Sequence, residues 1–225
     1  VSRRSLYSIV VSLGVLAGGC ASESSAQVAS AAVVRDDTAS VLRLLDGVRG
    51  VNPLACELAT RSVDMHGSWS RWGSLGGNPL EVDSASAALI AWIQRDHKDP
   101  AVVPRLRAAM RDNDRCVRRV AASFLGRVEH PSAVSALLSA LDDTNADTRY
   151  VAVIGLGVAD EPPGALQPLL GRLRDESPAV RRVAAWALGT LEDRQALAPL
   201  IELLERDTDP RVRQAAAWAI GRILG

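Results

Sequence analysis

One ten-residue pattern returns four times in the second half of the chain. It appears as VRRVAASFLG (117–126), TRYVAVIGLG (148–157), VRRVAAWALG (180–189) and VRQAAAWAIG (212–221). Successive copies start 31, 32 and 32 residues apart. A fixed period of this size is the mark of a stacked repeat architecture. Within the third copy, Val180, Val183, Ala184, Ala187 and Leu188 fall at i, i+3, i+4, i+7 and i+8, one face of a helix. The other copies keep that face: Val117, Val120, Ala121, Phe124 and Leu125; Thr148, Val151, Ala152, Gly155 and Leu156; Val212, Ala215, Ala216, Ala219 and Ile220.

Each copy is preceded by a second apolar stretch: VVPRLRAAM (102–110), AVSALLSAL (133–141), ALQPLLGRL (165–173) and ALAPLIELL (196–204). The joining turns carry Asp and Pro, as in DESPAVR (175–181) and DTDPRVR (207–213). Pro178 and Pro210 suit a first helical turn, where the missing N–H has no partner to lose. Each unit is therefore a two-helix hairpin of 31 or 32 residues, too small to bury its own apolar face. Stacking the units buries one continuous core, which predicts an all-α, right-handed α-solenoid. Gly126, Gly157, Gly189 and Gly221 share one repeat position, where a helical Gly costs about 1 kcal/mol relative to Ala. Close backbone approach or an early helix end accounts for its return. NADTR at 145–149 lacks the turn Pro, and Gly155 stands where a bulkier residue is expected, so the second of the four units is predicted to be locally looser.

The tandem D-x-x-P-x-V-R-x-x-A-A-x-A-L-G pattern resembles HEAT-like repeats, in particular the short type also found in phycobilisome lyase proteins. The resemblance covers about residues 99–225, as units near 99–128, 129–159, 160–191 and 192–225. It implies a scaffold that holds other proteins, since repeats of this kind specify a fold more than a chemistry. The lyase members handle bilin pigments, and no pigment-handling motif is present in this chain.

The beginning of the chain resembles a bacterial lipoprotein signal. Arg3 and Arg4 precede an apolar run from Leu6 to Ala17, and small residues lead into Cys20 at LAGGC. The apolar run is shorter than the ~20 residues a membrane-spanning helix needs. The resemblance implies cleavage after residue 19 and lipidation of Cys20, with more than one acyl chain for stable anchoring. Ala21 follows Cys20, which in two-membraned bacteria implies transfer to the periplasmic face of the outer membrane. The alternative is a plain signal peptide cleaved nearby. Residues 20–37 read as a flexible tether. Residues 38–98 read as a divergent helical N-terminal cap, with helices at 38–50 and 53–64 and an irregular Trp/Gly loop at 66–80. Trp69 and Trp72 in that loop either fold back as a lid or insert into a partner.

Chemistry-bearing constellations are missing. His66, His97 and His130 are isolated, and no metal-ligand spacing, phosphate loop or nucleophile elbow occurs, so no catalysis, metal or cofactor is expected. With 26 basic and 26 acidic residues, the chain has no net charge to draw it to nucleic acid. Asp142, Asp143, Asp175, Glu176, Asp207 and Asp209 sit at the turns, next to Arg at the start of each second helix. Short-range exposed Asp–Arg pairs explain that pattern; a basic ligand stripe of Arg118, Arg119, Arg149, Arg181 and Arg182 is the alternative. Cys56 and Cys116 are either bonded, tying the cap to the first repeat in an oxidising compartment, or two separate thiols. Cys116 occupies a turn position expected to be accessible.

The candidate partner-binding residues lie on the second helices. Trp186 points about 120° away from the core face, and Trp218 repeats it one unit later. A row of Tyr150, Ile154, Trp186 and Trp218, flanked by Arg182, would line the concave face and take a protein or peptide. The competing reading packs each Trp between neighbouring repeats as a ladder. The chain is therefore expected to be a lipid-anchored, non-catalytic interaction scaffold of the cell envelope, contacting membrane only through its anchor. A bilin-lyase-like or other enzyme-accessory role is one rival. A structural protein that self-associates through its C-terminal repeat is another.

Overall fold

Asp, Asn and His side chains cap four of the described α-helices, and prolines follow two of those caps. In the computed structural model, which describes residues 38–50 and 98–225, Asp114 accepts from the Cys116 and Val117 N–H groups at 2.7 and 3.2 Å. Asn145 caps the next second helix through the Asp147 N–H, and Asp209 caps the last through the Arg211 N–H. His130 Nδ1 accepts from the Ser132 N–H. Pro131 and Pro210 each follow such a cap in the first turn, whereas Pro178 follows Ser177, whose side chain makes no capping hydrogen bond. These contacts satisfy donors that a helix start leaves open.

The described helices are α1 (Thr38–Gly47), α2 (Val103–Ala109), α3 (Arg115–Leu125), α4 (Pro131–Ala140), α5 (Ala146–Val158), α6 (Leu166–Arg172), α7 (Pro178–Leu191), α8 (Leu197–Arg206) and α9 (Pro210–Leu224). Short 3₁₀ turns at Pro100–Val102 and Arg194–Ala196 lead into α2 and α8. Four hairpins result: α2–α3, α4–α5, α6–α7 and α8–α9. Within each, the first helix packs on the second, and second helices α3, α5, α7 and α9 pack side by side. The fold is an all-α solenoid. Its core runs along the hairpins through Leu106, Leu125, Leu137, Leu156, Leu169, Leu188 and Leu200, all fully buried. Helix α1 packs on α2 and α3, at the start of the stack.

The second hairpin is not loose. A Cβ on Gly155 would sit 2.5 Å from Leu137 Cδ2 and 2.7 Å from the Ala122 carbonyl oxygen. The side chain missing from α5 is replaced by Leu137 from α4 and by the backbone of α3. Gly155 therefore reports close packing, which inverts the expectation from sequence. The signal segment, the tether, the 53–64 helix and the 66–80 loop lie outside the described residues.

Candidate functional site

The turns between paired helices form one edge of the stack, and arginines run along it. Arg149 Nη1 donates to the Asp143 and Thr144 carbonyls at 2.9 and 3.1 Å, closing its own turn. Its Nε and Nη2 reach Asp175 of the next hairpin at 2.8 and 2.9 Å, and Nη2 also reaches Glu176. Arg181 repeats the arrangement, with Nη1 on the Asp175 and Glu176 carbonyls and Nε and Nη2 on Asp207 at 2.7 and 3.0 Å. Arg118 closes its turn likewise but reaches Asp147, because Arg111 already holds Asp143. Each Asp also closes its own turn: Asp175 accepts the Ser177 N–H and Asp207 the Asp209 N–H, both at 2.9 Å.

These pairs differ from the exposed, short-range pairs expected from sequence. They cross between hairpins, and the Arg149 and Asp175 side chains are only 7% and 3% exposed. Burial pushes the Asp175 carboxyl up, but the Arg149 and Ser177 hydrogen bonds outweigh it and hold it below its ordinary value. The Arg181 hydrogen bond holds Asp207 low in the same way, against the opposing pull of burial. Most of the basic stripe is thus structural: Arg118, Arg149 and Arg181 weld repeats together, and Arg119 is buried with its guanidinium 5.8 Å from the Tyr150 ring centroid.

Arg182 is the exception. It is half-buried, and among the described residues no carboxylate pairs with it. It lies one helical turn before Trp186 on α7. Trp186 and Trp218 both lean back on the preceding hairpin. A Cβ on Gly157 would strike the Trp186 ring, and one on Gly189 would lie 2.7 Å from Trp218 Cζ3. Two of the recurring glycines are therefore seats for indole rings, as the ladder reading expects. Trp186 is half-buried, whereas Trp218 remains 38% exposed with the Arg222 guanidinium 5.9 Å from its centroid.

The row of four exposed side chains expected from sequence is shortened. The equivalent positions are Ser123, Ile154, Trp186 and Trp218, and Ser123 and Ile154 are 0% and 6% exposed. Ile154 belongs to the core, because its short side chain lies within the packed surface that a larger indole overtops. Tyr150 is half-buried beneath Arg119. The accessible part of the face is its C-terminal half, around Arg182, Trp186 and Trp218.

Cys116 is not accessible. It is 5% exposed in the first turn of α3, the helix that α1 packs against, and it is disulfide-bonded. Its partner lies outside the described residues, as do Cys20, Cys56, Trp69 and Trp72. No cluster of three metal-ligating side chains occurs among the described residues, and no described helix is long and apolar enough to cross a membrane.

The family whose sequence model is described as HEAT repeats matches residues 79–157 and 134–221. The chain belongs to the HEAT-repeat family. No curated protein sequence matches it. Among solved structures, a chain of the complex of CpcE and CpcF of phycocyanin lyase from Nostoc sp. PCC7120 is similar. The alignment covers 81% of this chain and 99% of that one, at 22% identity and a TM-score of 0.51. Human deoxyhypusine hydroxylase, in complex with glycerol, is similar over 84% of this chain and 75% of its own, at 20% identity and a TM-score of 0.47. A designed armadillo repeat protein in complex with the peptide (KR)4 is similar over 82% and 92%, at 17% identity and 0.43. At these identities the likeness is one of fold. The HEAT-repeat assignment accounts for the tandem hairpins and says nothing of what they bind.

Proposed function

We propose that this HEAT-repeat protein is a non-catalytic scaffold that binds a protein or peptide on the C-terminal half of its second-helix face. The observation that carries the reading is the local environment of Arg182. Its sister arginines are consumed by turn carbonyls and buried carboxylates, whereas Arg182 has no carboxylate partner among the described residues and sits beside Trp186. A half-buried guanidinium next to indole surface is the composition of a binding hot spot. It favours a segment that brings a carboxylate to Arg182 and apolar side chains to Trp186 and Trp218.

Lipid anchoring through Cys20 at the face of an envelope membrane completes the proposal, supported by the LAGGC pattern and the basic and apolar segments before it. The test is affinity capture from envelope extract with residues 21–225. The bait is compared with an Arg182→Glu/Trp186→Ala/Trp218→Ala variant whose helix content matches the wild type. A partner held by the wild type and released by the variant supports the reading. Identical capture by both, or turnover of a bilin by the purified protein, overturns it.

A further inference from the structure

One carboxylate ties the chain just after α1 to the cysteine in the first turn of α3. Asp114 Oδ1 accepts the Cys116 N–H at 2.7 Å, and Asp114 Oδ2 accepts the Gly50 N–H at 2.8 Å. Arg49 adds a two-pronged pair to Asp112, both contacts at 2.9 Å. Residues 49 and 50 are thereby fixed against the turn that leads into Cys116. Cys116 itself is 5% exposed and disulfide-bonded. The sequence holds three cysteines, so its partner is Cys20 or Cys56, both outside the described residues. Cys56 stands six residues after Gly50, whereas Cys20 stands eighteen residues before Thr38, where α1 begins. Six residues reach at most about 20 Å, which confines Cys56 to the neighbourhood of Cys116. Treated as free arms, six residues against eighteen favour Cys56 by about five-fold, because closure falls as roughly the −3/2 power of length. The length of α1 lies between the Cys20 arm and residue 50 and adds to that preference. The LAGGC pattern, in addition, commits the Cys20 sulfur to a thioether, which cannot form a disulfide.

We infer that Cys116 is joined to Cys56, and that this bond fastens the cap onto the first hairpin while leaving the Cys20 sulfur available for lipid. The pairing rests on the geometry at Asp114, and only its bearing on Cys20 rests on the anchoring proposed above. Forming the bond takes two protons and two electrons from the two thiols. The acceptor is the disulfide of a thiol–disulfide oxidase or of a small disulfide such as oxidised glutathione, which leaves as two thiols. One thiolate opens the acceptor's S–S bond to give a mixed disulfide, and the second displaces it. The finished bond closes the loop from residue 56 to residue 116 and restricts the unfolded chain. Its sulfur at Cys116 lies in the buried first turn of α3, shielded from exchange with outside thiols. Bonds of this kind persist in oxidising compartments, which agrees with the export that lipidation of Cys20 requires.

The test uses the full chain, equilibrated with a glutathione redox buffer, alkylated without reduction and digested with trypsin. Mass spectrometry should find residues 50–61 linked to residues 116–118, with Cys20 carrying the alkyl group. Cys20→Ser should keep that link and Cys56→Ser should abolish it. Reduced wild type and Cys56→Ser should unfold at one common temperature, below that of the oxidised wild type, and reductant should not move the variant further. Amides of α1 should exchange at least ten-fold faster in those two forms than in the oxidised wild type. The linked peptide is read on the wild type, so a variant that fails to fold does not blunt the test. The inference falls if Cys116 is recovered alkylated, or if it is linked to Cys20 or to a second copy of the chain. It also falls if reductant changes neither melting nor α1 exchange, because the bond then fastens nothing. Acylation of Cys20 is read separately, from the mass of the amino-terminal peptide of chain recovered from membranes. Its absence would overturn the anchor and leave the Cys56–Cys116 pairing standing.

Discussion

The second and fourth hairpins carry the same sequence pattern and put it to opposite uses. At one repeat position Ile154 is 6% exposed and Trp218 is 38% exposed. At another, Arg149 holds a buried carboxylate of the next hairpin, while its equivalent Arg213 caps only its own turn. A repeat position thus has no fixed role. What it does depends on which described residues pack against it, as expected where stability is a sum of intrinsic and nearest-neighbour terms.

Breaking the arginine comparison should give the largest effect. Arg149→Ala leaves Asp175 buried without its main partner and should cost about 3 kcal/mol, the scale for stranding one member of a buried pair. Arg213→Ala removes only two hydrogen bonds to turn carbonyls and should cost about 1 kcal/mol. Chemical denaturation of both variants checks the ratio, and equal losses would refute the distinction. Acid gives a second readout. Asp175 and Asp207 are held below the ordinary carboxylate value near 3.9. Their contribution is full above about pH 4 and is lost as pH falls through their depressed folded values. Thermal stability of the wild type should decline over that acid range, and Arg149→Ala should decline less.

The apolar pair sharpens the same contrast. Ile154→Ala opens a cavity in the packed half and should cost about 3 kcal/mol. Trp218→Ala removes a larger side chain but one with open solvent on its outer side, and should cost about 1 kcal/mol. The order of effects is then opposite to the order of side-chain size. Next in magnitude is Gly155→Ala, whose new methyl meets Leu137 and the Ala122 carbonyl. Overpacking against backbone should cost about 2 kcal/mol. A neutral or stabilising outcome in a thermal melt would restore the idea of a loose second hairpin.

Much of this arrangement was legible before any coordinates. The repeat register and the first-turn prolines at Pro178 and Pro210 follow from spacing along one helix. What could not be read were relations between helices. Arg149 and Asp175 lie 26 residues apart, so the pattern of charges near each turn looked local. Gly155 looked like a missing side chain because Leu137, which takes its space, comes from another helix. Cys116 sits at a turn position in sequence, yet lies buried in a helix that α1 packs against. For the candidate site, spacing gave Trp186 and Trp218, but only the structure removed Arg118, Arg149 and Arg181 from the list of free cations and left Arg182.

The smallest expected effect has the opposite sign. Thr148 replaces the valine that starts α3, α7 and α9 at this repeat position in Val117, Val180 and Val212. It is fully buried, and its hydroxyl makes no hydrogen bond. An unmade hydrogen bond in a buried site costs about 1 kcal/mol or more, while a methyl of nearly the same size would gain contact with the core. Thr148→Val should therefore stabilise the protein by about 1 kcal/mol, read as a rise in the denaturation midpoint at unchanged slope. The substitution makes the second hairpin match its neighbours at a position where all four copies are buried. Its role is thus the same in every hairpin, in contrast to the arginine and indole positions. If Thr148→Val destabilises instead, the hydroxyl has a partner that the packing around it does not reveal.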